Sequence, residues 1–262
     1  GESFALHLHD FTSHLHVVRH SLSGSPEGGA IYTPAAHRAM MNDWLGSPVD
    51  IALPFAYSPT GWLLLLPFTL MSDPVAFVVW VSLGMLAMLW MTGPRIDPSL
   101  AGVVLLMSPL TAKAIALGQT ALFTTPALIW LLLRSPQLAP GRGRFVLDVL
   151  ILWALTAKPP LALLAGVALL ARGAWREVGA AVLLTLLTTM SVSPWLGSTW
   201  VSDYLHMIRN YTIDRADPVF AWCLVPTYMT NLRAALYMLG CPDSLANSIS
   251  WIAWMIGMVA LL

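Results

Sequence analysis

Charge in this chain is confined to short intervals between long apolar stretches, and that spacing restricts the fold to helices packed in or against a bilayer. Two stretches, roughly 99–133 and 145–171, carry almost no charge, and the chain's two lysines, Lys113 and Lys158, lie inside them. An ionisable group at membrane depth is costly and marks a site more often than a surface does. Charged residues make up 10% of the chain and hydrophobic residues 57%, where a soluble domain carries about 25% charged residues. The formal net charge is zero, so no basic field argues for nucleic acid.

Each long stretch exceeds one crossing of about 20 residues and suits two short ones. Each also breaks near its middle, at Leu117-Gly-Gln-Thr120 and at Ala157-Lys-Pro-Pro160. The pattern predicts two helical hairpins whose feet share one side and whose tips share the other. Arg95, Arg134, Arg142, Arg144, Arg172 and Arg176 fall at the feet, with Asp97, Asp148 and Glu177 among them. The positive-inside rule assigns that side to the cytoplasm. All seven histidines and most acids then fall on the opposite side.

The remaining organisation follows from that frame. A span at about 74–92 descends toward Arg95, and one at about 178–194 rises to an outer loop. The stretch 55–71 reads as a half-buried or re-entrant helix, because a full crossing there would invert the arginine rule. The expected units are a first extracytoplasmic loop over 1–58, transmembrane helices with the re-entrant segment and hairpins over 59–194, a second outer loop over 195–244, and a last helix over 245–262. Both ends look cut, which predicts a piece of a longer chain with further helices before and after it. The twelve tryptophans suit interfacial anchoring. Cys223 and Cys241 cannot form a disulfide framework, although one bond between them is open.

The outer side gathers the residues capable of chemistry. Asp10 stands in His7-Leu-His-Asp-Phe-Thr-Ser-His14, either as a helix N-cap or as a general base taking a proton from a hydroxyl. His7, His9, His14, His16 and His20 form a dense cluster, and His16 with His20 is spaced for one helix face. Without cysteines or a second carboxylate at ligand spacing, no metal site is assigned there. Lys158 precedes Pro159-Pro160, so its backbone leaves the helix and a new helix starts beside an ammonium. A helix N-terminus and an ammonium together suit a phosphate. Gln119 follows Gly118 at the other tip, where its amide suits a hydroxyl or phosphate oxygen. The outer segment from Trp200 reads as an amphipathic interfacial helix, with His206 and Arg209 as acceptor and phosphate contacts.

In this order the motifs resemble glycosyltransferase family 87, in the C superfamily of integral-membrane glycosyltransferases. The resemblance rests on Asp10-Phe11, Gly29-x-x-Tyr32-x-Pro34, Pro54-Phe-x-Tyr57-x-Pro59, Leu117-Gly-Gln119, Lys158-Pro159 and Trp200-x-x-x-Tyr204-Leu205. It implies an all-α polytopic membrane protein with short hairpin helices and large extracytoplasmic loops. It further implies an inverting hexosyl transfer, mannose first, from a polyprenyl-phosphate sugar to a lipid or glycan acceptor. On this scheme Asp10 is the general base, and Lys158, Lys113, Gln119 and Arg209 meet the donor phosphate or sugar. His9, His14, Tyr57 and His206 contact the acceptor or tune the base. No cofactor and no metal is implied, and the site faces the extracytoplasmic side of the cell membrane. The chain departs from the family in Val219–Tyr228, which is apolar where members carry an Asn-x-Ser-type motif, and this leaves the acceptor open. A transporter with a midplane site built from broken helices, or a metal-dependent membrane protein using His7–His20, stands as the alternative.

Overall fold

The computed structural model describes residues 10–23, 31–46, 55, 57–92, 114–116, 118–213 and 240–261, with the backbone alone at Asp10, at 208–213 and at several other helical positions. All regular structure among these residues is helical. In chain order the helices are α1 Asp10–Leu22, α2 Pro34–Leu45, α3 Pro59–Leu65, α4 Asp73–Thr92, α5 Ala121–Ile129, α6 Arg142–Leu155, α7 Pro159–Ala171, α8 Trp175–Leu196, α9 Trp200–Ile213 and α10 Asp243–Leu261. A 3-10 turn, Leu66–Leu70, prolongs α3, and a wide π turn, Trp130–Arg134, prolongs α5.

Local chemistry sets these boundaries. Prolines open α2, α3 and α7 at the first turn, where the missing N–H costs nothing. The chain turns after α7 at Gly173 and after α8 at Gly197, both with positive φ. Helix α3 contributes seven residues and its 3-10 extension five. At about 1.5 Å per residue the pair falls well short of a hydrocarbon core about 30 Å thick. Helices α6 and α7, with 14 and 13 residues, are also short. Only α4 and α8 are long and apolar enough, among the described residues, to cross a membrane.

Contacts fix the directions. Trp80 packs on Phe123 at 4.4 Å between ring centroids, and Trp90 stacks on Trp130 at 5.2 Å, so α4 and α5 run side by side in the same sense. Helix α6 returns from the foot, where its Asp148 accepts from Trp130 Nε1 at 2.8 Å and from Ser135 Oγ at 2.5 Å. Helix α7 descends again, and Arg172 donates to the Leu132 carbonyl at 2.9 Å. Helix α8 rises past the hairpin tip, with Trp153 donating to its Thr188 hydroxyl at 2.9 Å. Since α8 outlasts α6 by two turns, α3 fills the space above the tip and packs against the upper half of α8. Trp62 stacks there on Trp195 at 5.9 Å.

Two apolar cores result. One surrounds Phe11, Leu15, Phe55, Trp62, Trp80 and Leu196, and the other Trp130, Leu131, Leu152, Leu155 and Leu169. Arg134, Arg144 and Arg172 lie at the end of the second core, and the breaks at 118–120 and 156–158 point toward the first. Asp148, expected in a loop beside the arginines, instead lies inside α6 and is 1% exposed. Its burial is supported by Trp130, Ser135 and Arg144, whose Nε lies 3.5 Å away. Residues 99–113, most of the first leg of the first expected hairpin, lie outside the described residues, as do Arg95 and Asp97.

The outward faces of α4 and α8 carry Val78, Leu86, Leu89, Leu183, Leu187 and Met190 in the open. Only 22% of the apolar segment of α4 and 17% of that of α8 is buried inside the protein. A contiguous exposed apolar surface of this kind is unfavourable in water and at home in hydrocarbon.

Candidate active site

The two breaks and the entry to α3 converge on Tyr57. The Lys158 ammonium stands over the Tyr57 ring, 5.7 Å from its centroid. The His14 ring meets the same ring edge-on, with 4.7 Å between centroids. The Tyr57 hydroxyl lies 3.2 Å from Thr120 Oγ1, beside Gln119. Its carbonyl accepts from Tyr32 Oη at 3.0 Å. Helix α1, the tip at 118–120 and the tip at 156–158 are thus joined through one side chain.

The first tip depends on Gly118, whose φ is +62°. A Cβ there would come within 2.7 Å of Phe11 Cβ and 2.9 Å of the Phe77 ring. The absent side chain lets the turn lie directly on α1, one residue after Asp10. Trp80 Nε1 donates to the Gly118 carbonyl at 2.8 Å, and Gln119 N–H to the Ala114 carbonyl at 2.8 Å. Gln119 is half-buried.

Hydroxyls fix the second tip. Ser58 N–H donates to the Ala157 carbonyl at 3.2 Å, and Ser58 Oγ to the Thr156 carbonyl at 2.7 Å. Thr60 Oγ1 lies 2.8 Å from Thr156 Oγ1, which donates in turn to the Trp153 carbonyl at 2.6 Å. Lys158 is the half-buried residue immediately before the prolines that open α7.

An aromatic layer extends from this centre. Phe55 touches His14, Tyr57 and Tyr32, and Tyr32 meets Tyr204 of α9 at 5.0 Å. Burial holds the His14 pKa down to about 3, with His37 and Lys158 adding to the effect; this imidazole is neutral. Burial pushes Tyr32 well above its ordinary value and Tyr204 up to about 12. His14 Nδ1 and Tyr204 Oη are buried with no hydrogen-bond partner among the described residues.

The expected site residues separate into groups. Lys158, Gln119, Tyr57 and His14 are brought to one end of the bundle. Asp10 begins α1 one turn before His14. His206 is exposed, on the side of α9 away from the buried Tyr204. Arg209 lies in α9 with its backbone alone described, and His9 and Lys113 lie outside the described residues, as do Cys223 and Val219–Tyr228. The histidines diverge: His16 Nε2 donates to Asp73 at 2.9 Å and stacks on Trp44, while His14 faces Tyr57. No three metal-binding side chains gather among the described residues.

Sequence reading missed Ser58, Thr60 and Thr156. The only local signal was a hydroxyl residue preceding the helix-opening Pro59 and another within the tip. It also missed Tyr204 as a buried partner of Tyr32, having treated it as part of an amphipathic surface.

Among the described residues, fold and site together define an all-helical, membrane-associated protein with a polar, multi-element centre at one end of its bundle. The chain belongs to glycosyltransferase family 87, whose model matches residues 55–262, and it is therefore a glycosyltransferase. The matched region contains Tyr57, Gln119, Lys158, His206 and Arg209, while Asp10 and His14 precede it. No curated protein and no solved structure matches the chain.

Proposed function

We propose that the protein transfers a hexose, mannose first, from a polyprenyl-phosphate donor to a lipid or glycan acceptor at the extracytoplasmic face of a multi-pass membrane bundle. The observation that carries this reading is the junction at Tyr57 of the Lys158 tip, the Gln119 tip and the helix that begins at Asp10. Lys158 meets the donor phosphate, with Gln119 beside it and with Lys113 and Arg209 as further donor contacts. The family match supports sugar transfer in general, and the cation at a helix start supports a phosphate leaving group.

Asp10 acts as the general base. It takes the acceptor hydroxyl proton as the acceptor oxygen bonds to the anomeric carbon. The bond from that carbon to the phosphate oxygen breaks with its electron pair, inverting the centre and releasing polyprenyl phosphate. The cation at the phosphate stabilises the developing charge, a group of effects worth about 3–4 kcal/mol for one well-placed donor. His14, neutral and with a buried Nδ1 unpaired among the described residues, suits a hydroxyl of the acceptor, and His9 and His206 are further acceptor contacts. The outward apolar faces of α4 and α8 support a bilayer setting, and the arginine end supports a cytoplasmic foot.

The test is transfer in native membranes with radiolabelled polyprenyl-phosphate mannose, comparing wild type with Asp10→Asn, and arabinose and glucose donors alongside. Label should pass to a lipid or glycan product with wild type only, with Asp10→Asn slower by at least about 100-fold. Retained turnover in Asp10→Asn removes the base assignment. No transfer from any of the three donors removes the donor class.

A further inference from the structure

The two tips that carry Lys158 and Gln119 are far apart in sequence, yet adjacent residues of the α3 entry hold both. Tyr57 reaches Thr120 with its hydroxyl and lies beneath the Lys158 ammonium with its ring. Ser58 binds the carbonyls of Thr156 and Ala157, the two residues before Lys158. Tyr57 and Ser58 are each 8% exposed, so neither presents a surface of its own. Gly61 keeps this contact close: a Cβ there would lie 2.5 Å from Tyr57 Cβ and 3.5 Å from Ala157 Cβ. We propose that Tyr57 and Ser58 are positioning residues, a two-residue clasp holding both tips at one separation so that the Lys158 ammonium and the Gln119 amide meet a single lipid phosphate. The inference rests on the reading of Lys158 as a donor-phosphate group.

The physical reason for such a clasp is the backbone at the tips. Both interrupt the regular helical ladder and are held locally by short turn bonds, such as Gln119 N–H to the Ala114 carbonyl and Lys158 N–H to the Leu155 carbonyl, so carbonyls freed at the break need other partners. Ser58 supplies those partners at 156–157 and so limits where the stem of Lys158 begins. Tyr57 then limits where its ammonium ends, since a cation is attracted to the ring face. Two loosely held tips would each bind the phosphate in many geometries, at an entropic cost that prior fixing avoids.

Equilibrium binding of polyprenyl phosphate to the full chain in lipid nanodiscs tests this, with Lys158→Ala, Ser58→Ala, Ser58→Thr, Tyr57→Phe and the double variant Ser58→Ala/Lys158→Ala. Ser58→Ala and Tyr57→Phe should each weaken binding by about 5- to 10-fold, the effect of one hydrogen bond. Ser58→Thr, which keeps the hydroxyl, should bind like wild type. In the Lys158→Ala background, loss of Ser58 should add less than about 2-fold, because coupled residues are not additive. If Ser58→Ala and Tyr57→Phe bind normally while Lys158→Ala does not, or if the double variant shows the full product of both losses, the clasp is overturned alone. Unchanged binding by Lys158→Ala overturns the phosphate reading and the clasp with it.

Discussion

His14 is a titratable group whose surroundings leave no room for its charge. It is packed edge-on against Phe55 and Tyr57, and burial is the main cause of its depressed pKa, about 3 against an ordinary 6.5. Between those values the unfolded chain holds a proton on this residue and the folded chain does not. Folding stability therefore rises with pH across the window, is complete above about 6.5, and falls as acid is added. The slope from this group is at most about 1.4 kcal/mol per pH unit. His14→Phe, similar in shape and without a titration, should flatten that part of the acid limb when unfolding is followed from pH 7 to pH 4. An unchanged difference between the two pH values would show that His14 titrates normally. The same residue illustrates what a sequence conceals. The histidine density around position 10 suggested a common purpose, but His14 and His16 lie on different sides of α1 and serve different neighbours.

At the scale of elements, α1 needs holding, because an isolated helix of 13 residues is marginal in water. Part of the holding is a polar clamp to the start of α4. Arg19 pairs with Asp73 and donates to the carbonyls of Met71 and Thr69, the latter at 3.2 Å. It thereby covers the open end of the 3-10 turn after α3. Asp73 also stands in the first turn of α4, where a carboxylate is favoured by the helix dipole. Asp73→Asn should loosen α1 by about 1 kcal/mol, the upper end for a partly exposed pair, and raise amide exchange over 13–22 roughly fivefold. Unaltered exchange would assign the docking of α1 to its apolar face alone. Elements whose ends are set by local backbone chemistry were legible in the sequence. The tips at Gly118 and before Pro159-Pro160, the spans near 74–92 and 178–194, and the short helix after Pro59 all carry Pro, Gly or unbroken apolar runs. The bonds that bring them together were not legible. Ser58 meets Thr156 across 98 positions and Arg19 meets Asp73 across 54, and such pairs leave no periodic trace. Asp148 was misjudged for a related reason: its acid side chain resembled a loop residue, but neighbours from three segments satisfy it inside α6.

For the whole molecule, the decisive feature is the separation of its two ends. The core around Trp130 and Leu152 adjoins the arginines, and the core around Trp62 and Phe55 adjoins the candidate site. Between them lies a layer of hydroxyls, with Thr60, Thr156 and Thr185 in contact and Thr188 bonded to Trp153. Each is bonded, as polar groups surrounded by apolar packing must be. A bundle with an arginine end, an apolar girdle on α4 and α8, and a site at the far end can sit across a bilayer in either sense by shape alone. The positive-inside rule predicts the sense, with the arginine end on the cytoplasmic side. Single cysteines at Gly141, before α6, and at Ser198, after α8, would report the outcome in a chain with Cys223 and Cys241 replaced by serine. Both positions are exposed, and a Cβ at Gly141 meets nothing within 4 Å. In intact cells a membrane-impermeant maleimide should label Ser198→Cys at once and Gly141→Cys only after permeabilisation. The reverse pattern would turn the site toward the cytoplasm and remove the extracytoplasmic assignment. Labelling of both in intact cells would deny that the two ends are on opposite sides of a membrane.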